Sequence, residues 1–131
     1  MRQETKAILE MVAKRRMDTM KKNHPDLEIG QIMDDSGLRA VLNVSSNGEL
    51  IRIEFIESSS TAGNISMLDD YVEVAKEIGS MALFYPESKY SRDMASAIYS
   101  SMVKEIKTKA GRDIAFSGYL YDDLGNIKNV P

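Results

Sequence analysis

The sequence predicts an α/β fold in which a mixed β-sheet is flanked by helices, with the elements in the order α-β-β-β-α-β-α-β. Two observations lead to this order. Segments whose apolar residues recur at helical spacing alternate along the chain with segments whose apolar residues recur at every second position. In addition, an apolar run at residues 81–85 lies between two helical segments, as is typical of a strand covered by helices on both faces. The 131 residues fit one domain, residues 1–131.

A first helix is predicted over residues 4–22. Its apolar side chains, among them Leu9, Ala13 and Met20, recur at the spacing of one helical face. Pro25 follows within a short run of turn-forming residues and ends the helix. The opposite face is basic and supplies the candidate nucleic-acid-binding residues Lys14, Arg15, Lys21 and Lys22.

Three strands are predicted next, over residues 27–32, 38–45 and 50–57, because apolar and polar residues alternate in each. Asn47 and Gly48 stand between the second and third strands. This pair is suited to the positive φ angles of a type I′ turn, so the two strands should form an antiparallel hairpin.

The next helix and strand are predicted from local signals. Ser66 and Asp69 have the spacing of a capping box, and the helix that they begin should end at Gly79. The apolar run at residues 81–85 follows as a central strand, and Pro86 ends it.

The chain is predicted to close with a long helix and a strand. The helix begins near Ser91 and ends at Gly111, with lysines near its C-terminal end, where cations favour the helix dipole. Residues 114–121 form the last strand. Turn-forming residues follow this strand, so a further hairpin at the end of the chain is an alternative that the sequence does not decide.

Charge is distributed unevenly along the chain, whose net charge is −3. Residues 1–23 hold seven basic residues against three acidic ones, whereas residues 24–88 hold three basic against twelve acidic. The acidic middle argues against nonspecific coating of DNA, but a basic helix can still contact phosphates. The charged N-terminal region and the lack of long apolar runs predict a cytoplasmic protein that does not associate with a membrane.

Several kinds of chemistry are excluded by composition. The chain has no cysteine, which excludes disulfides, thiolate catalysis and cysteine-based metal sites. Its eight glycines are scattered singly, so the sequence contains neither of the common phosphate-binding glycine loops. The only histidine, His24, lies at a predicted helix end and is interpreted as a surface or capping residue. Carboxylates remain, and these suit magnesium.

Acidic residues occupy two places of interest, because Asp34 and Asp35 precede the second strand and Glu54 lies within the third. Together with the order helix, three-stranded meander, helix and central strand, this pattern resembles the restriction-endonuclease-like, or PD-(D/E)xK, superfamily, and in particular the small Holliday junction resolvases. The resemblance covers about residues 1–87. It implies a magnesium site formed by Asp34, Asp35 and Glu54, with Asp35 and Glu54 as the catalytic residues.

The superfamily pattern also has a lysine two positions after the acid of the third strand. Residues i and i+2 of a strand share a face, so the acid and the lysine both reach one metal-bound water. Ile56 occupies that position here. The resemblance therefore implies a nuclease-like protein whose catalysis is impaired or absent, magnesium-dependent if active, which binds DNA, RNA or a nucleic-acid-processing partner.

Each of these features also has a purely structural explanation. Arg52 and Glu54 share a strand face and can form an ion pair there, and Asp34 and Asp35 are common turn residues. The basic helix face is also consistent with a solvated surface. The alternative hypothesis is a small homo-oligomeric structural or protein-interaction module, in its simplest form a homodimer, without catalysis.

Overall fold

The computed structural model describes residues 2–34, 36–87 and 92–130 of the chain. Within these ranges, the helices are α1 (Arg2–Asn23), α2 (Leu68–Glu77) and α3 (Arg92–Ala110), and a short 3-10 helix spans Ile65–Met67. The strands are β1 (Glu28–Met33), β2 (Arg39–Ser46), β3 (Glu49–Glu57), β4 (Ser80–Pro86), β5 (Ala115–Tyr121) and β6 (Ile127–Asn129). The predicted order of elements is confirmed. β6 pairs with β5 in a terminal hairpin, the alternative that the sequence did not decide. None of these helices combines the length and the apolar character that crossing a bilayer requires.

The described strands form one mixed sheet in which they follow each other in sequence order. β1, β2 and β3 are an antiparallel meander, whereas β4 runs parallel to both β3 and β5, and β6 returns antiparallel to β5. β4 therefore lies inside the sheet, and residues 81–86 are all buried. This confirms the central strand predicted from its apolar sequence.

The turn between β2 and β3 has the conformation that its sequence predicts. Asn47 and Gly48 have φ angles of 53° and 79°, and Ser46 pairs with Glu49 across the turn. Positive φ at both central residues defines a type I′ turn, whose twist matches that of the flanking strands. The predicted antiparallel hairpin is confirmed.

Helices cover both faces of the sheet. On one face, α1 packs through Leu9 and Val12 in a cluster with side chains of β2 and β4. On the opposite face, α2 and α3 pack through Tyr71 and Met102 in a cluster with side chains of β3, β4 and β5. Alternate residues of each strand therefore face different helices, and this decides which partners a charged strand residue can reach.

Two boundaries predicted for the second helix are wrong. Ser66 and Asp69 do not cap α2, because a 3-10 helix precedes it and the Asn64 side chain accepts a hydrogen bond from the N–H of Ser66 at 3.0 Å. An asparagine oxygen readily reaches the N–H two residues ahead, so helical turns begin earlier than the capping-box spacing indicates. Nor does Gly79 end α2, because Ile78 is already extended, with φ −111° and ψ 132°, and leads directly into β4.

The end of α3 agrees with its prediction. Gly111 has a φ angle of 70°, and its N–H donates to the carbonyl of Lys107 at 3.0 Å. A residue in this left-handed conformation satisfies one of the last helix carbonyls, and glycine adopts it without steric cost.

Candidate functional site

Glu54 lies in the middle of the sheet, on the face that α1 covers. It is fully buried, and its register partners are Leu42 on β2 and Ala82 on β4. Alternation along β3 places Arg52 and Ile56 on this same face. Ile56 packs in the apolar core beneath α1, so the position where the nuclease pattern has a lysine carries no charge.

Two arginines hold the Glu54 carboxylate. Arg16, from α1, donates from Nε to Oε1 at 2.8 Å and from Nη2 to Oε2 at 2.9 Å. Arg52 donates from Nε to Oε2 at 2.7 Å, and its Nη1 donates to the Ser80 hydroxyl at 2.6 Å. The Arg52–Glu54 ion pair that offers a structural explanation for these residues is therefore present, and Arg16 adds a second cation to it.

Arg16 also rests on two aromatic rings. Its guanidinium carbon lies 4.8 Å from the ring centroid of Tyr119 and 5.6 Å from that of Phe84. The two rings are themselves stacked, with their centroids 4.6 Å apart. A cation is attracted to the face of such rings. The carboxylate bonds and the aromatic rings together hold the Arg16 head group in one orientation.

Glu54 stays charged despite its burial. Burial alone raises the pKa of a carboxyl group, but the hydrogen bonds and charges of Arg16 and Arg52 outweigh it and hold the pKa of Glu54 below its ordinary value. Burial likewise lowers the pKa of Arg16, but the hydrogen bonds and charge of Glu54 more than reverse this, so the pKa of Arg16 is raised. Two cations face one anion, and the cluster has a net charge of +1.

The predicted magnesium ligands are not gathered around Glu54 in the described part of the chain. Asp34 is exposed and follows β1. Its N–H donates to the carbonyl of Arg39, which lies three residues along β2 from Leu42, the partner of Glu54. Asp34 is therefore two strands away and roughly 10 Å further along the sheet. Asp35 lies outside the described residues, so its convergence with Glu54 stays a prediction.

A second buried carboxylate, Glu57, lies at the end of β3 on the opposite face. Arg39 donates to its two oxygens at 2.9 and 2.7 Å. Thr61 donates to Oε1 at 3.0 Å, and the Tyr71 hydroxyl donates to Oε2. Arg39 also reaches Asp70 at 2.8 Å. These bonds tie β2, the loop after β3 and α2 together, so we assign this cluster a structural role.

The basic residues predicted to contact nucleic acid are all exposed on the solvent side of α1: Lys14, Arg15, Lys21 and Lys22. Lys14 pairs with Asp18 at 3.1 Å. Arg15 donates from Nη1 to Oδ1 of Asn126 at 3.5 Å, a long contact that leaves most of its donors available. The seven-residue interval between Arg15 and Lys22 places both side chains on one stripe of the helix.

Arg15 and Arg16 open onto a polar groove between α1 and the β5–β6 hairpin, with a volume of about 340 Å³. Thr19, Tyr119, Asn126 and Asn129 supply its other polar groups, and none of the lining residues that the structure describes is acidic. We call it the arginine groove. Its size lies at the lower end of the range for small-ligand pockets.

Gly125 allows the hairpin turn to approach α1 at the arginine groove. It has a φ angle of +84°, and a Cβ atom there would lie 3.1 Å from side-chain atoms of Arg15 and Met11. Both the conformation and the close approach favour glycine. The turn therefore helps to position the Arg15 side chain.

The prediction missed Arg16, the residue that joins the buried cluster to the arginine groove. Its position carries a signal, because Arg16 follows Val12 and precedes Met20 at intervals of four and so lies on the apolar stripe of α1. A charged residue on such a stripe requires a partner of opposite charge in the core.

No protein-family model matches the sequence, and no curated protein matches it either. The geometry and charge of the arginine groove are therefore the basis for assigning its function.

Proposed function

We propose that the protein binds DNA or RNA through backbone phosphates at the arginine groove and does not cleave it. One observation carries the proposal: two guanidinium groups open onto a groove whose described lining residues include no carboxylate. A guanidinium group presents several donors in a plane that matches phosphate oxygens. Contacts to phosphates supply much of the affinity of proteins for nucleic acid.

The charge around the groove supports this assignment. Arg16 holds Glu54 with Nε and Nη2, so Nη1 is the donor that remains for a phosphate. The buried cluster behind the groove has a net charge of +1, from two arginines and one glutamate. Arg15, Thr19 and Lys22 follow one another along the same stripe of α1, so the basic surface extends roughly 10 Å from Arg15 to Lys22.

The surroundings of Glu54 support binding without cleavage. Both of its carboxylate oxygens accept hydrogen bonds from guanidinium groups, so a magnesium ion would have to displace Arg16 or Arg52. Ile56 provides no cation to stabilise a hydroxide or the charge that develops on a phosphate. Within this proposal, the protein acts in the cytoplasm, as its sequence predicts.

Fluorescence anisotropy with labelled duplex and single-stranded DNA tests the proposal. Wild-type protein is expected to bind at low salt and to lose affinity as salt rises, because phosphate contacts release counterions. The Arg15→Gln/Lys22→Gln variant should bind about tenfold more weakly, since it removes two cations from the proposed contact surface.

Lys104→Gln/Lys109→Gln is the matched control, because it removes the same charge from exposed positions on α3. This control should bind within about twofold of wild type, because it leaves the phosphate contacts intact. Equal losses in the two variants, or no retention of DNA at low salt, would contradict the proposed site.

A further inference from the structure

A second groove lies on the opposite face of the sheet, between α2 and the first half of β3, with a volume of about 390 Å³. Its floor is apolar and includes Leu50, Ile53, Phe55, Val74 and Ile78. Leu50 is 38% exposed, so part of this floor is open to solvent. We call this feature the acidic groove, after the residues of its rim.

The rim is formed by one edge of α2. Asp70, Glu73 and Glu77 line it at intervals of three and four residues, and all three are exposed. Asp70 pairs with Arg39, which also holds Glu57. Within the described ranges, Glu73 and Glu77 form no ion pair. The three rim carboxylates and the buried Glu57 supply four negative charges, and Arg39 supplies one positive charge. This group therefore has a net charge of −3.

Within the described parts of the chain, no helix covers the sheet beside the acidic groove on this face. α2 and α3 pack over β3, β4 and β5, whereas Ile32 on β1, which pairs with Val41 of β2, is 55% exposed. Neighbouring strands are about 4.8 Å apart, so β1 and β2 together leave room for one helix at the usual interhelical distance of 8–10 Å from α2. On this face the strip carries the apolar Ile32 and Val41 and the polar Asn43 and Ser45, and a strip of this width fits one amphipathic helix.

We propose that the acidic groove binds an amphipathic helix of a partner protein, with the apolar side of that helix on the sheet and its lysine or arginine side chains facing Glu73 and Glu77. The spacing of the rim matches cations that recur every three or four residues on the bound helix. An acidic rim repels phosphates. The sheet separates this surface from the arginine groove, so the two proposals can fail independently.

Titration of the full chain with a synthetic helical peptide of leucine and lysine, about 15 residues long so that it forms several turns, tests this proposal. Binding is measured by amide chemical shifts of the labelled protein. The peptide is expected to shift the signals of Leu50 and Val74. A peptide of the same pattern with glutamate in place of lysine should not bind, because it meets the acidic rim.

Two double variants separate the groove from general acidity. Glu73→Lys/Glu77→Lys should weaken binding of the leucine–lysine peptide at least about tenfold, by loss and reversal of the rim charge. Asp26→Lys/Asp123→Lys makes the same change of net charge at exposed positions elsewhere and should leave binding within about twofold. Leu50→Gln, at an exposed position of the apolar floor, should also weaken binding.

Three results would overturn the proposal. The control variant could lose as much affinity as the rim variant, or the glutamate peptide could bind as well as the lysine peptide. Sedimentation could instead show a dimer that Leu50→Gln dissociates, which would make a second copy of this chain the occupant.

Discussion

The guanidinium group of Arg16 on α1 donates to both carboxylate oxygens of Glu54 on β3, at 2.8 and 2.9 Å, although 38 residues separate them in sequence. The bond pair joins a helix to the centre of the sheet. It also connects a buried anion to a cation that opens onto a surface groove. Stability and the proposed binding surface therefore depend on one side chain.

Replacing Arg16 should destabilise the fold. Arg16→Met removes two of the three hydrogen bonds to a fully buried carboxylate. Breaking a buried ion pair from one side costs roughly 3–5 kcal/mol, and we expect the lower end because Arg52 still neutralises Glu54. Urea unfolding measures the loss.

A double-mutant cycle with Glu54→Gln isolates the interaction between these two residues. The double variant Arg16→Met/Glu54→Gln should be less destabilised than the sum of the single changes, with a coupling of roughly 0.5–3 kcal/mol. Additive effects would mean that Arg16 contributes through packing on Tyr119 and Phe84 and not through the carboxylate.

Acid should remove the stabilisation that Glu54 provides. Its folded-state pKa is held below the ordinary value of 4.5 by Arg16 and Arg52, against the effect of burial. The contribution is therefore fully present above pH 4.5 and is lost as pH falls through the lower folded-state pKa. The difference in unfolding free energy between wild type and Glu54→Gln, measured from pH 7 downward, should shrink in this range; a constant difference would contradict the shift.

The contact between β5 and α3 depends on Gly118. A Cβ atom at this position would lie 2.8 Å from Cε1 of Tyr99, so Gly118→Ala forces the aromatic ring to move. We expect the free energy of unfolding to fall by roughly 1–3 kcal/mol, as for other overpacked positions. Gly30→Ala is the control, because no atom lies within 4 Å of a Cβ there. Of these two variants, only Gly118→Ala should have a lower melting temperature than wild type. Adding Tyr99→Leu to Gly118→Ala should recover part of the lost melting temperature.

The Tyr71 hydroxyl supports the second buried carboxylate. It donates to Glu57, and both residues are fully buried. Tyr71→Phe removes one hydrogen-bond donor from the buried Glu57 carboxylate. This should lower the free energy of unfolding by roughly 1–3 kcal/mol. Tyr119→Phe removes only a contact of 3.4 Å from Arg16 and should cost less. A larger effect at Tyr119 than at Tyr71 in urea unfolding would reverse this ranking.

Local sequence patterns were sufficient for the strands and for one of the two ion pairs of Glu54. Arg52 and Glu54 share a face because residues two apart in any strand do so, whatever surrounds the strand. The pairing of Arg16 with Glu54 depends on how α1 crosses the sheet, and no local pattern contains that angle.

The same distinction applies to the arginine groove. The exposed basic residues of α1 can be recognised from their spacing in the sequence as one helix face. The groove also needs the β5–β6 turn, which approaches Arg15 at Gly125. That approach depends on packing between segments that are far apart in the sequence. The start of α2 differs from its prediction for a local reason, since Asn64, two residues before the predicted capping box, caps a 3-10 helix.

Binding of nucleic acid without cleavage, the proposed function, can be tested directly. Labelled duplex and four-way-junction DNA, incubated with wild-type protein and Mg²⁺ at low salt, can be run in parallel on native and denaturing gels. The DNA is expected to be retarded on the native gel and intact on the denaturing gel, with retardation reduced in Arg15→Gln/Lys22→Gln. Magnesium-dependent cleavage by wild type that is lost in Glu54→Gln would contradict the proposed function and would assign Glu54 a catalytic role.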